Sequence, residues 1–72
     1  MTTKEALARM LSSSGRNGNE LSLSIGKHRN FIASSLNRDP WNPTVETLVT
    51  IARACGYSLV LEGHGERVEL DA

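Results

Sequence analysis

Apolar positions recur at helical spacing through most of this chain and switch to alternation near its end. Thr2 and Glu5 stand at the spacing of a capping box, and Leu7, Met10 and Leu11 follow at i, i+3 and i+4. The pattern predicts a first amphipathic helix over residues 3–13. The polar, glycine-containing run Ser12-Ser13-Ser14-Gly15-Arg16-Asn17-Gly18-Asn19 cannot continue it. Asn19 is the expected cap of a short second helix with Leu21 and Ile25 buried and Leu23 as a further core candidate, and Gly26 provides backbone for a tight turn.

A third helix is expected at about 28–37. Ile32 and Leu36 set its inner stripe with Phe31 beside them, leaving His28, Arg29, Asn30, Ser34, Ser35 and Asn37 largely on other faces. Pro40 blocks continuation, so Arg38-Asp39-Pro40-Trp41-Asn42-Pro43 reads as a loop. Thr44 then caps a fourth helix in which Leu48, Ile51, Ala52 and Cys55 share one face, and Gly56 is its left-handed stop. From Tyr57 the period becomes two. Residues 57–62 and 66–70 alternate about Gly63-His64-Gly65, which predicts a C-terminal β-hairpin. An isolated hairpin is marginal in water, so this one must pack on the helices, pair with a second copy, or both. The expected class is mainly α, with four helices within residues 1–56 and a hairpin at 57–70.

Seventy-two residues make one domain, expected over 1–72, with so small a core that a dimer is the default expectation. There is no long apolar run to span a membrane and no N-terminus resembling a secretion signal. Cys55 is the single cysteine, so no disulfide framework is expected and a reducing cytoplasm is the default location. The net charge of zero argues against nucleic acid as a whole-chain property, but the charge is unevenly placed. Residues 1–44 carry Lys4, Arg9, Arg16, Lys27, Arg29 and Arg38 against Glu5, Glu20 and Asp39, a balance of +3. Residues 45–72 carry Arg53 and Arg67 against Glu46, Glu62, Glu66, Glu69 and Asp71, a balance of −3. The local face met by phosphates matters more than the total.

Two short helices joined at a glycine, the second opening with cationic and hydrogen-bonding side chains, suit major-groove reading by a helix-turn-helix. Cations at a helix N-terminus oppose the macrodipole, so the run Lys27-His28-Arg29-Asn30 calls for an anionic partner. Arg29 and Asn30 are the best base readers, because a guanidinium pairs with guanine and a carboxamide with adenine. Lys27 and Arg38 suit phosphates, and Ser24, Ser34 and Asn37 can assist. His28 completes the candidate set.

The residues Asn19 to Glu62 resemble the phage-repressor-like (XRE, or Cro/cI-type) helix-turn-helix family. The most specific part is NPTVETLVTIARACG, residues 42–56, which is similar to the family's Asn-Pro-Ser/Thr-x-x-Thr-Leu-x-x-Ile-x-x-Ala-x-Gly segment. Ile25-Gly26 and Ile32 match the family's apolar-glycine pair and later buried aliphatic, and YSLVLE resembles the strand that HigA-type antitoxins carry after the last helix. Ser22 stands at the family's small position in the first motif helix, and Lys27 stands where a small aliphatic is common. The resemblance implies a lambda-repressor-like domain that binds an operator in double-stranded DNA, a repressor of phage or mobile-element type, working as a homodimer. It implies no cofactor and no catalysis. Two other functions fit the same residues: an antitoxin that binds its operator and neutralises a toxin protein, and a protein–protein adaptor on the same fold, which zero net charge favours.

The remaining residues favour plain roles. Trp41 more readily covers the end of a small core than stacks on a ligand. His28 and His64 lack the neighbours of a metal site, and Cys55 is expected in packing. The acidic end (Glu66, Glu69, Asp71) reads as a charged strand edge, a surface for a basic partner, or a charge that keeps the hairpin off DNA.

Overall fold

The computed structural model describes residues 1–71. Four helices, α1 (Thr3–Ser14), α2 (Gly18–Ser24), α3 (Phe31–Leu36) and α4 (Val45–Ala54), precede an antiparallel hairpin of β1 (Leu59–Gly63) and β2 (Glu66–Leu70). The chain is mainly α, and its extents of 39 × 23 × 20 Å reflect the hairpin reaching out from the helices. Among the described residues, no helix is long and apolar enough to cross a membrane.

Capping decides where the helices begin. Thr2 Oγ1 accepts from the Glu5 N–H at 3.1 Å while the Thr2 N–H donates to Glu5 Oε1 at 3.1 Å, the reciprocal box expected for α1. The same box recurs at α2 on Asn17 and Glu20, at 2.8 and 3.1 Å, so α2 begins two residues before the expected Asn19 cap. A cap at Asn19 would place Ser22, not an acidic side chain, at the third helical position. Thr44 caps α4 as expected, accepting from the Thr47 N–H at 3.1 Å.

Two helices end in the same way. At α2, Gly26 takes φ +78°, its N–H bonds Leu23 O and the Lys27 N–H bonds Ser22 O. At α4, Gly56 takes φ +80°, its N–H bonds Arg53 O and the Tyr57 N–H bonds Ala52 O. Both are Schellman closures, in which a left-handed glycine lets two N–H groups turn back onto terminal carbonyls.

The expected third helix is shorter than 28–37. Residues 28–30 form a turn closed by a 3.0 Å bond from the Phe31 N–H to His28 O, and only Phe31–Leu36 are helical. Asn30 occupies the N-cap without a side-chain cap bond. The N–H of Ile32 instead donates to Ser22 Oγ at 3.0 Å, across from α2. That buried hydroxyl also donates to Gly18 O at 2.6 Å, so one serine satisfies both helices.

Leu7, Met10, Leu21, Ile32, Trp41, Ile51 and Ala52 make the central core, with Leu11, Ile25, Phe31, Leu36, Leu48 and Cys55 packed around it. Leu23 is not a core residue; it is exposed, because residues two apart on an α-helix point to nearly opposite sides and Leu21 takes the inner one. Val49 is buried on α4 in addition to the expected stripe. Trp41 lies inside the core, and its carbonyl accepts from Thr3 Oγ1 at 2.6 Å, tying the loop before α4 to the first turn of α1.

In the hairpin, Leu59 pairs with Leu70, Leu61 with Val68, and Gly63 with Glu66. Gly63 therefore belongs to the ladder, and the turn is only His64-Gly65, at φ +50° and +74°. Two successive positive φ values match the twist of the strands, whereas a type I or II turn would splay them. The first strand was expected from residue 57, but it begins at Leu59, leaving Tyr57 and Ser58 outside it: Tyr57 completes the α4 closure, and its hydroxyl donates to Ser13 Oγ at 2.9 Å. β1 rests on α4, and an Arg53–Asp71 ion pair fastens the end of β2 to the same helix.

Candidate nucleic-acid interface

The six residues between α2 and α3, Ile25 to Asn30, carry four of the eight candidate side chains. Gly26 reverses the chain, and Ile25 is half-buried, packed against the core. Lys27, His28, Arg29 and Asn30 are left exposed in sequence. Phe31 organises two of them. The Lys27 ammonium sits 5.5 Å from the centre of its ring, and the His28 imidazole meets it edge-on with centroids 6.3 Å apart. Phe31 itself packs on the core, so the basic turn is seated on the hydrophobic interior through one aromatic ring. His28 Nδ1 accepts from the Asn30 N–H at 3.2 Å, which tightens the turn further.

α3 separates two faces. Ile32 and Ser35 point inward and Leu36 is half-buried, while Asn30, Ala33, Ser34 and Asn37 are exposed at i, i+3, i+4 and i+7. Every side chain in that outer row is short. Ser35 corrects the expectation of an outer position: it is buried, three residues from Ile32 on the inner stripe, and its hydroxyl donates to Phe31 O at 2.9 Å. A serine fits there because it satisfies its own polar atom within the helix. Asn37 is the C-cap, and Arg38 follows, exposed, with its N–H bonded to Ser35 O at 3.2 Å. Ser24 ends α2, exposed, its hydroxyl turned back to Leu21 O at 2.7 Å.

All eight candidate residues (Ser24, Lys27, His28, Arg29, Asn30, Ser34, Asn37 and Arg38) are exposed and lie on α2, α3 and their flanking turns. Chain order brings them together along residues 24–38. Sequence reasoning missed Ala33, which completes the outer row, and Phe31 as the seat of Lys27 and His28. The spacing of Asn30, Ala33, Ser34 and Asn37, complementary to that of Ile32 and Leu36, was the available signal. The hydrogen-bonding groups of the outer row and the cations of the turn together can meet both base edges and phosphates.

Other chemistry is sparse. Among the described residues, no three His, Cys, Asp or Glu side chains gather as metal ligands. His64 lies in the hairpin turn, separate from His28. Burial pushes the Cys55 thiol above its ordinary pKa, with Arg16 opposing, so the group is held as a neutral thiol at the edge of the core.

No protein-family model, curated protein or solved structure matches this chain.

Proposed function

We propose that this chain is a sequence-reading double-stranded-DNA-binding protein of the transcriptional-repressor type, with α2, its turn and α3 working as a helix-turn-helix. The observation that carries this proposal is the outer row of α3. It presents Asn30, Ala33, Ser34 and Asn37 with no bulky side chain between them, directly after a basic turn. Short side chains let a helix settle deep in the major groove, a carboxamide can bond adenine, and an alanine methyl can touch the thymine methyl. Arg29 reaches for a guanine from the helix entrance. Lys27, His28 and Arg38 flank the row at both ends, where the phosphate strands bordering the groove would pass. Ser22 holds α3 at a set position on α2, so the two helices approach DNA as one rigid unit.

With few cations per chain, affinity should be modest and strongly salt-dependent. A homodimer through residues 57–70 compensates by engaging two half-sites together, about one helical turn apart. Selection of duplexes from a random library, followed by gel shifts at several salt concentrations, tests the proposal. Arg29→Ala should weaken the selected site by about 1–3 kcal/mol while barely affecting random duplex. Arg38→Ala should weaken both evenly and flatten the salt dependence. Absence of any shift at low salt, with selected or random DNA, would refute DNA binding.

A further inference from the structure

Resting on the dimeric reading above, we propose that the partner seated on the hairpin is a second copy of this chain, joined antiparallel along the outer edge of β2 with Val68 on the two-fold axis. The joined hairpins make one four-stranded sheet, and the register is dictated by which peptide groups face outward.

The two-residue turn at His64-Gly65 makes Gly63–Glu66 a hydrogen-bonded pair. Leu61–Val68 and Leu59–Leu70 are then the next hydrogen-bonded pairs by alternation. In β2, Glu66, Val68 and Leu70 thus direct their peptide groups at β1, and Arg67 and Glu69 direct theirs at the open edge. Two copies meeting about Val68 place Arg67 opposite the partner's Glu69, and Glu69 opposite the partner's Arg67. All outward N–H and C=O groups of these four residues are then matched, and each matched pair carries opposite charges. Centring the axis on Arg67 or on Glu69 sets like charges against each other. Centring it between residues opposes outward peptide groups to inward ones.

The side-chain rows agree with this register. Leu61 and Val68, cross-strand neighbours on one face, are 58% and 47% exposed in the single chain. Across the two-fold they become an unbroken apolar row: Leu61, Val68, the partner's Val68, the partner's Leu61. On the other face, Glu62 already lies 3.9 Å from Arg67, and the partner's Glu69 extends this to a row of alternating sign. The β1 edge offers no equivalent. Pairing about Leu61 sets Glu62 against the partner's Val60, with no cation opposite it, and β1 is the strand that rests on α4.

Charge reversal tests the register in the full-length chain. Sedimentation at micromolar concentration should give the wild type at twice the 7.8 kDa of one chain. Arg67→Glu and Glu69→Arg should each be monomeric, with dimer affinity down about tenfold or more. An equimolar mixture of the two variants should form a heterodimer, identified by native mass spectrometry, and the double variant R67E/E69R should dimerise with itself. Recovery in the mixture is the decisive signal, because local repulsion between Glu62 and Arg67→Glu cannot produce it. A monomeric wild type, a dimer indifferent to either single variant, or a mixture that stays monomeric would overturn the register. Gel shifts on the same samples separate the two proposals: a monomeric wild type that still retards duplex DNA overturns the strand pairing alone.

Discussion

Ser22→Ala removes one hydroxyl and should loosen the joint between α2 and α3. Ser22 is fully buried, and its Oγ receives the N–H of Ile32, itself fully buried, at 3.0 Å. Asn30 supplies no side-chain cap, and among the described residues Ser22 alone takes that proton. An orphaned buried donor costs about 1–3 kcal/mol. Alanine is the better helix former, which returns roughly 0.5 kcal/mol. The bond from Ser22 to Gly18 O is internal to α2, and losing it changes little, since that carbonyl keeps its place in the helix. The net loss is about 0.5–2.5 kcal/mol, set against a total stability of roughly 4–11 kcal/mol for a domain of this length. Each kcal/mol should lower Tm by about 4–8 °C. Urea denaturation followed by circular dichroism should show a lower midpoint with an unchanged slope. Ser24→Ala is the matched control, since the Ser24 hydroxyl only turns back to Leu21 O at the surface. Hydrogen exchange adds a residue-level readout, with faster exchange at the Ile32 amide. If Ser22→Ala melts with the wild type and the Ile32 amide keeps its protection, the brace between the helices is not a stabilising contact.

Ile51→Ala should cost about 2–5 kcal/mol because Ile51 has no exposed surface, while Glu46→Ala on the outside of α4 should leave the melting curve in place. Truncation after Gly56 should give a monomeric or unstable chain with greatly reduced operator affinity, measured by sedimentation and gel shift. It removes the Tyr57 N–H that closes α4 together with the whole hairpin. Cys55 should react slowly with a thiol reagent until the protein is unfolded. Its folded pKa lies above the unfolded value of 9.0, so its contribution to stability is present below that pH and fades as pH rises through the folded pKa. An unfolding midpoint that rises between pH 8 and pH 10, about one unit either side of the reference thiol value, would contradict this.

α4 was the most legible element, since its cap at Thr44, its stripe from Leu48 to Cys55 and its Gly56 stop are all local signals. The start of α2 was equally local. Asn17 and Glu20 repeat the spacing of Thr2 and Glu5, and Asn19 drew the boundary only because it lies nearer to Leu21. The start of α3 was not legible. It depends on Ser22 meeting Ile32 ten residues away, and on His28 turning its carbonyl to Phe31 instead of extending the helix. The burial of Ser35 was hidden for a related reason, since a serine signals an outer position unless its helix partner is known. The candidate site was legible in its cations and amides, because their exposure follows from the inner stripe. The seat of Lys27 and His28 on Phe31 was not, since it requires the ring to lean out of the core toward the turn.

Trp41 is the only tryptophan in the chain, and its burial makes it an optical reporter. Indole emission moves to shorter wavelength in apolar surroundings, so the folded protein should emit in the blue-shifted range and move to the red on unfolding. Buried within the hydrophobic core, it offers no face on which a nucleobase could stack. One chromophore therefore follows the integrity of the helical core, free of interference from stacked bases, while a labelled duplex added to the same cuvette reports binding.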